Sequence, residues 1–218
     1  MTGALLLDMD GTLIDSEPLW HDRMRALARE RGFAWTEEDC RWTAGRPMTE
    51  WAQRMVERGA GLEPRAMIDR VVAEVAEIVR GEVPWLPGSL ALLERIVAEG
   101  VPAALVTNAG APNAQALVDA APRGALRLAV SSDDGVASKP DPAPYLLAAE
   151  RLGVDPARCI AFDDSGSGAR SAVAAGAALW FLTTQQGEPP VAAERVLGTL
   201  ADVDADELFA RLERGAPA

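Results

Sequence analysis

Two aspartates stand directly after a short apolar run near the start of the chain. Asp8 and Asp10 lie two residues apart behind Ala4–Leu7, and Gly11 allows the chain to turn sharply after them. At the end of a strand, this spacing brings both carboxyl groups to the same edge. Paired acids of this kind suit a nucleophile with a proton donor, or two contributions to a site for a hard metal ion.

Further polar residues follow later apolar runs. Thr107 and Asn108 come after one run, and Asp163 and Asp164 come after another. Ligands of open parallel sheets bind outside the carboxyl ends of the strands, which is where these residues are predicted to lie. Each pair also has a structural interpretation, because hydroxyl and amide groups satisfy turns and Ser165 suits the N-cap of a following helix.

Lys139 is notable because the chain otherwise uses arginine. Of the 21 basic residues, 20 are arginine and Lys139 is the single lysine. A site that needs a compact, flexible ammonium among carboxylates does not accept the planar, bulkier guanidinium. Several crowded carboxylates raise one another's pKa, and an ammonium with a divalent metal ion resolves this while also accepting a phosphate. Together these residues indicate a site for phosphoryl transfer through an aspartate.

Alternating apolar runs and helical patterns predict the fold that positions these residues. Ala4–Leu7 is continuously apolar, as is typical of a parallel strand buried on both faces. After Pro84 and Pro87, helices and strands alternate, which predicts a doubly wound parallel α/β sheet. The further predicted strands are 101–106, 126–130, 160–162 and 177–182, and the helices between them are 90–98, 114–120, 143–152 and 169–175.

Helical patterns without a convincing strand follow the first apolar run. The first helix is expected to have Ser16 as its N-cap and to end at Gly32. We therefore predict a core domain formed by residues 1–15 and 86–218. Residues 16–85 are predicted to form an all-helical insertion that leaves the core just after the first strand.

Composition excludes several classes of partner. The 218 residues carry 33 acidic and 21 basic side chains, for a formal net charge of −12. This balance argues against non-specific binding to nucleic acid or to an anionic membrane. The first residues do not form a basic leader. No apolar stretch approaches the length of about 20 residues that a membrane span needs. Cys40 and Cys159 form no CxxC pair, so we expect a reduced, cytoplasmic protein, with a monomer as the default.

Four short motifs, in order along the chain, resemble those of the haloacid dehalogenase-like superfamily. They are Asp8-Met9-Asp10-Gly11-Thr12, Val106-Thr107-Asn108, Ser138-Lys139-Pro140 and Phe162-Asp163-Asp164-Ser165. The segment from Asp15 to Trp20 and the helical insertion are similar to the β-phosphoglucomutase-like branch of capped sugar phosphatases. The resemblance covers nearly the whole chain, and it implies a Rossmann-like core with the insertion as a cap domain.

The resemblance also implies a role for each acid. Asp8 would attack phosphorus and form an aspartyl-phosphate, while Asp10 would protonate the leaving alkoxide and later deprotonate the hydrolytic water. Mg²⁺ would be held by the Asp8 carboxylate, the Asp10 main-chain carbonyl and Asp164, with Asp163 adjacent or bridged through water. The implied activity is Mg²⁺-dependent hydrolysis of a small phosphorylated metabolite, a sugar or polyol phosphate.

Substrate contacts are implied on both sides of the site. Thr107, the Asn108 backbone and Lys139 would hold the phosphoryl oxygens. In the cap, the candidate substrate residues are His21, Gly45 and Arg46. An arginine in a loop between helices suits a second anionic or polyol group, although a solvated arginine and a packed histidine are the plainer interpretations.

Other activities were weighed against hydrolysis of a phosphate ester. The presence of Asp10 disfavours dehalogenation, because dehalogenases lack this second acid. The cap has no lysine, which a phosphonate-cleaving enzyme would need. A sugar phosphomutase is the main alternative, but mutase members carry a histidine one position before His21, where this chain has Trp20. A non-catalytic phosphate-binding or signalling module is the alternative from another class. A degenerate module should have lost a motif acid or the lysine, and none is missing here.

Overall fold

A six-stranded parallel sheet forms the centre of the fold. The computed structural model describes residues 3–43, 46, 48–184 and 187–214. The strands are β1 (Ala4–Leu7), β2 (Ala103–Val106), β3 (Leu128–Val130), β4 (Cys159–Asp163), β5 (Ala178–Leu182) and β6 (Arg195–Leu197). They lie in the order β3-β2-β1-β4-β5-β6, and each neighbouring pair is parallel. The strand order extends in both directions from β1, so the predicted doubly wound sheet is confirmed.

Four helices follow β1 along the chain and form the inserted segment. They are α1 (Glu17–Glu30), α2 (Glu37–Thr43), α3 (Met48–Glu57) and α4 (Pro64–Gly81). No strand occurs among the described residues of this segment, as the sequence predicts. The two ends of this segment lie side by side, because the Asp15 N–H donates to the Pro84 carbonyl at 2.9 Å. The division into two domains at residues 15/16 and 85/86 stays a prediction.

Five helices flank the sheet. They are α5 (Ser89–Glu99), α6 (Ala111–Ala120), α7 (Ala143–Leu152), α8 (Gly166–Ala174) and α9 (Ala205–Arg214). The side chains of β1 alternate between two apolar cores, with Leu5 and Leu7 in one and Ala4 and Leu6 in the other. Side chains of α5, α6 and α9 fill the first core, and those of α7 and α8 fill the second. Helices therefore cover both faces of the sheet, and this burial holds the strand ends in register.

A few elements differ from the prediction or were not predicted. Strand β2 begins two residues later than predicted, after Pro102, which has no N–H to give to a strand ladder. Strand β6 was not predicted, because this edge strand of three residues has two exposed side chains and no continuous apolar run. Helix α9 was also missed, although Leu208, Phe209 and Leu212 repeat at helical spacing on its buried face.

A buried carboxylate links the helices of the insertion. Asp39 in α2 is 1% exposed, and it accepts hydrogen bonds from Arg54, Arg58 and Thr36 over 2.6–3.1 Å. Burial alone would raise the pKa of Asp39, but the hydrogen bonds from the two arginines and Thr36 hold it well below its ordinary value. Asp39 is therefore a structural anion that stabilises the packing of α2 against α3 and the residue after it.

Candidate active site

The predicted acids meet at the carboxyl edge of the sheet. Leu7, the last residue of β1, pairs with Phe162 of β4, and the Asp8 N–H donates to the Phe162 carbonyl at 3.0 Å. Asp8 therefore follows β1 at the level where β4 ends in Asp163. Both strands are buried along their whole length, and their pairing places side by side two segments that lie far apart in the sequence.

Lys139 lies between the carboxylates of these two strands. Its Nζ donates to Asp8 Oδ1 at 2.7 Å and to Asp163 Oδ2 at 2.8 Å, and its side chain is 2% exposed. Burial alone would lower the pKa of Lys139, but the charges of Asp163 and Asp8 outweigh it and raise the pKa above its ordinary value. The ammonium is thus held charged at the centre of the acidic cluster.

Every acceptor position of the Asp163 carboxylate is taken by a protein donor. Oδ1 accepts from the Ser165 N–H at 2.9 Å and from the Ser165 hydroxyl at 2.7 Å. Oδ2 accepts from Lys139 and, at 2.7 Å, from the hydroxyl of Tyr145. An ionised carboxylate has about four lone-pair positions. Four donors therefore satisfy this fully buried group, and its first role is to position Lys139.

Gly168 closes the space beside Asp163. A Cβ atom at this position would lie 1.8 Å from Asp163 Oδ2 and 2.0 Å from its Cγ, which no side chain can tolerate. The N–H of Gly168 also donates to the Ser165 hydroxyl at 3.0 Å, so the expected N-cap role of Ser165 in α8 is confirmed. The same serine thus begins the helix and holds the carboxylate.

A second carboxylate of the cluster is oriented by Thr12. Its hydroxyl donates to Asp164 Oδ1 at 3.1 Å, and both side chains are buried. Carboxylate oxygens of Asp8, Asp163 and Asp164 lie within 4.8 Å of one another. Hard divalent cations such as Mg²⁺ bind oxygen donors of this type. The donor set fits a Mg²⁺ ion, with Asp8 and Asp164 better placed to ligate it than the fully satisfied Asp163.

Crowding in a buried space perturbs the acids. Burial raises the pKa of Asp8 well above its ordinary value, and the charges of Asp163 and Asp164 add to the effect, although Lys139 opposes it. Burial, followed by the charge of Asp163, raises the pKa of Asp164 to about 7. Like charges brought together away from water favour protonation, and a bound cation relieves the repulsion. The raised pKa values of Asp8 and Asp164 are therefore consistent with a site that binds a divalent cation.

Asp10 lies beside this cluster and faces the insertion. Gly11 has a φ of 81°, the left-handed conformation that favours glycine, and its N–H donates to the Ile14 carbonyl at 2.9 Å. Burial raises the pKa of Asp10, although hydrogen bonds from Ser16 and Thr107 partly oppose the shift. A carboxyl that tends to keep its proton suits the donation of a proton to a leaving group.

Ser16 occupies the predicted N-cap position of α1, but its side chain does not cap the helix. The Ser16 side chain makes no capping hydrogen bond, and its hydroxyl donates to Asp10 Oδ1 instead. The Ser16 backbone has φ −87° and ψ −16°, in the helical region, whereas a capping residue has an extended backbone that directs its side-chain oxygen at the N–H groups of the first turn. Ser16 therefore joins the start of α1 to the site.

The side chain of Asn108 forms hydrogen bonds with the main chain of Lys139. The Lys139 N–H donates to Asn108 Oδ1 at 3.0 Å, and Asn108 Nδ2 donates to the Lys139 carbonyl at 3.3 Å. This pair of bonds fixes the main chain that carries Lys139. The buried Thr107 accepts the Ala109 N–H at its hydroxyl oxygen, at 2.9 Å. The two predicted phosphate-binding residues thus lie at the end of β2, next to Asp10 and Lys139.

A cavity of about 230 Å³ connects Asp10 with the insertion. Its lining includes Ser16, Glu17, Trp20, His21, Met24, Thr43, Arg46, Met48 and Trp51. His21 Nε2 lies 3.8 Å from Glu17 Oε1. The exposed Arg46 pairs with Glu50 at 2.9 Å, and its guanidinium lies 4.6 Å from the ring centroid of Trp42. His21 and Arg46 therefore border the space above Asp10, while Gly45 lies outside the described residues.

Sequence reasoning missed two residues of the site. Tyr145 falls within the predicted helix 143–152, and its being the single tyrosine of the chain is the usable signal. Gly168 gave no signal, because the need for a glycine comes from the carboxylate of Asp163, the last residue of β4, which packs against the first turn of α8.

Comparison with known proteins identifies the class. The model of the haloacid dehalogenase-like hydrolase family matches residues 2–176. Protein CbbY of Rhodobacter capsulatus is 34% identical over 187 residues, covering 79% of this chain and 82% of that protein. Hexitol phosphatase A of Escherichia coli (strain K12) is 32% identical over 173 residues, covering 79% of each. The crystal structure of CbbY from Rhodobacter sphaeroides in complex with phosphate superposes with a TM-score of 0.79 at 26% identity, covering 94% of this chain and 97% of that one.

The match over most of the chain shows its family. The chain belongs to the haloacid dehalogenase-like hydrolases and is an enzyme of their phosphatase branch. The predicted family, α/β fold and enzyme class are therefore confirmed, and a non-catalytic module is disfavoured. Within the described part of the chain, no helix combines the length and apolarity that a membrane span requires.

Proposed function

We propose that this chain is a Mg²⁺-dependent phosphatase that hydrolyses a small sugar or polyol phosphate through an aspartyl-phosphate. The observation that carries the proposal is the Lys139 ammonium, which lies 2.7 Å from Asp8 and 2.8 Å from Asp163 in a buried acidic cluster. The similarity to a hexitol phosphatase supports the substrate class. Such a site offers a nucleophile, a fixed positive charge and a neighbouring acid.

In the first half of the reaction, a carboxylate oxygen of Asp8 attacks phosphorus. The ester P–O bond breaks, and Asp10 gives its proton to the leaving oxygen of the alcohol. Burial raises the pKa of Asp10, which favours the protonated form from which this transfer starts. Lys139 and the residues at the end of β2, Thr107 and Asn108, hold the phosphoryl oxygens.

In the second half, water hydrolyses the aspartyl-phosphate. Asp10, now ionised, takes a proton from the water as its oxygen attacks phosphorus, and the P–O bond to Asp8 breaks. Inorganic phosphate leaves, and both aspartates return to their starting states. When bound by Asp8, Asp164 and the main-chain carbonyl of Asp10, Mg²⁺ supplies positive charge to the phosphoryl oxygens. Asp163 keeps Lys139 in place throughout.

The cavity above Asp10 sets a limit on the leaving alcohol. Its volume of about 230 Å³ and its lining of tryptophan, methionine, histidine and arginine suit a small, partly polar group. We propose that His21 and Arg46 contact this group. The cap formed by residues 16–85 would exclude water from the site when it closes over the substrate.

Phosphate release from a panel of sugar and polyol phosphates tests the proposal. Hydrolysis should require Mg²⁺, stop with a chelator and return when Mg²⁺ is added back. The Asp8→Asn variant should bind substrate but lack hydrolysis, because the amide is not a nucleophile. Activity that survives the chelator or this substitution would contradict the mechanism.

A sugar phosphomutase is a second candidate, because the imidazole of His21 lines the same cavity as Asp10. Incubation with the isomers of glucose 1-phosphate separates the two activities. A phosphatase accumulates free phosphate, whereas a mutase accumulates an isomerised sugar phosphate. We expect free phosphate, since Trp20 occupies the position at which the mutases carry histidine.

A further inference from the structure

The single tyrosine of the chain lies beneath the candidate active site. Tyr145 is in the first turn of α7, it is fully buried, and its ring packs in the apolar core on the α7 and α8 face of the sheet. Its hydroxyl emerges from this core and donates to Asp163 Oδ2 at 2.7 Å. A side chain anchored along its whole ring holds its polar end in one position.

The Tyr145 hydroxyl shares its acceptor oxygen with Lys139. Asp163 Oδ2 accepts from Lys139 Nζ at 2.8 Å, and this Nζ also lies 5.0 Å from the centroid of the Tyr145 ring. An ammonium within about 6 Å of an aromatic face is attracted by it. Tyr145 thus contacts the lysine in two ways, through the carboxylate they share and through its ring.

The balance of these contacts bears on the nucleophile. Lys139 Nζ lies at nearly equal distances from Asp8, at 2.7 Å, and from Asp163, at 2.8 Å. By donating to Oδ2, the phenol offsets part of the charge with which Asp163 attracts the ammonium. Without that hydroxyl, Lys139 would be the remaining donor to Asp163 Oδ2 among the described residues. The ammonium would then move toward Asp163 and away from Asp8.

We propose that Tyr145 is a positioning residue that keeps the Lys139 ammonium centred between Asp163 and the nucleophile Asp8. This proposal rests on the proposed role of Lys139 in holding the transferred phosphoryl group. Tyr145 is buried under the carboxylates, so it acts through Asp163 and Lys139 and touches no substrate. Its removal should therefore affect the chemical step more than the binding of substrate.

The test replaces Tyr145 by phenylalanine, which keeps the ring and removes the hydroxyl. With Mg²⁺ and a sugar phosphate that the parent hydrolyses, kcat should fall about tenfold, equivalent to about 1.4 kcal/mol. KM should change by less than about twofold, since no substrate contact is lost. Circular dichroism should show a folded protein.

A spectroscopic measurement follows Lys139 itself. The chain has one lysine, so protein with a ¹⁵N-labelled lysine side chain has one side-chain ammonium signal. This signal should shift in the Tyr145→Phe variant. Ser89→Ala is a matched control, because it removes another fully buried hydroxyl, which donates to the Leu13 carbonyl at 2.8 Å. That variant should leave the signal of Lys139 in place.

Several results would overturn the proposal. They are a kcat within about twofold of the parent, a rise in KM that accounts for the lost activity, an unmoved lysine signal, and a phenylalanine variant that fails to fold. The last result would make Tyr145 a structural residue. If the parent hydrolyses no phosphate ester, the proposed function fails, and the lysine signal alone then decides whether Tyr145 positions Lys139.

Discussion

Substitution of Lys139 by arginine tests whether the site needs a compact cation. The lysine side chain is 2% exposed, and its Nζ contacts Asp8 and Asp163 at 2.7 and 2.8 Å with the Tyr145 ring beside it. Arginine keeps the positive charge that the buried acids require. Its guanidinium is planar and wider, so it cannot place one nitrogen centrally between both carboxylates in this space.

The expected loss follows from the two hydrogen bonds of the ammonium. Hydrogen bonds to charged groups contribute about 1.5–3 kcal/mol each. Loss of one raises the activation barrier by at least about 1.5 kcal/mol, and loss of both raises it by about 3–6 kcal/mol. Since each 1.36 kcal/mol is about a factor of ten in rate, kcat/KM of the Lys139→Arg variant should fall by about 10–10² if one bond is lost and by about 10²–10⁴ if both are lost.

Steady-state hydrolysis and thermal unfolding should be measured together. The variant should unfold cooperatively at a temperature near that of the parent, because the charge is retained. Arg95→Lys is the matched control, since Arg95 is on the surface and pairs with Glu99 and Asp206 at 3.0 and 2.8 Å. Its kcat/KM should match the parent. Near-normal turnover of folded Lys139→Arg would refute the argument that the site requires an ammonium.

Two further substitutions test other parts of the structure. Asp39→Asn should lower the free energy of unfolding by about 2 kcal/mol at neutral pH, because two arginines and Thr36 lose a charged acceptor. The lowered pKa of Asp39 means that its contribution is complete above its unfolded pKa of about 4 and is lost as the pH falls below it. Urea unfolding of parent and variant should therefore differ less at acid pH, and a constant difference would contradict the assignment. Gly168→Ala should reduce kcat/KM at least about tenfold, because its Cβ would lie 1.8 Å from Asp163 Oδ2 and displace the acceptor of Lys139. Gly81→Ala is its control, since nothing lies within 4 Å of the added atom, and equal activity of the two variants would refute the steric argument.

The main components of the site could be predicted from local sequence. Asp8 follows a continuous apolar run, and the run around residue 161 ends at Asp163, so both acids were expected at strand ends. The single lysine stood out by composition alone. These features are local, because hydrophobic periodicity and residue choice act over a few neighbouring positions. The resemblance to a known family then supplied the proposed roles.

The boundaries of elements were less predictable where burial is incomplete. Strand β6 lies at the sheet edge with exposed residues, so its short sequence carries little periodic signal. Ser16 has the residue type and the position of an N-cap, and yet its side chain makes no capping bond and its hydroxyl donates to Asp10. In both cases the tertiary partner decides the outcome, since residue type leaves more than one hydrogen-bonding pattern open.

The sequence by itself determined the parallel sheet, the helical insertion after β1 and the identity of the acids and the lysine. Only the tertiary structure decided how they are connected. Lys139 is 131 positions from Asp8 along the chain, and the two meet because β1 pairs with β2 and because Asn108, just after β2, holds the main chain of Lys139. The hydroxyl of Tyr145 and the missing side chain of Gly168 matter for the same reason. Each one meets Asp163 in a fully buried space, where every polar atom needs a partner and no extra atom fits.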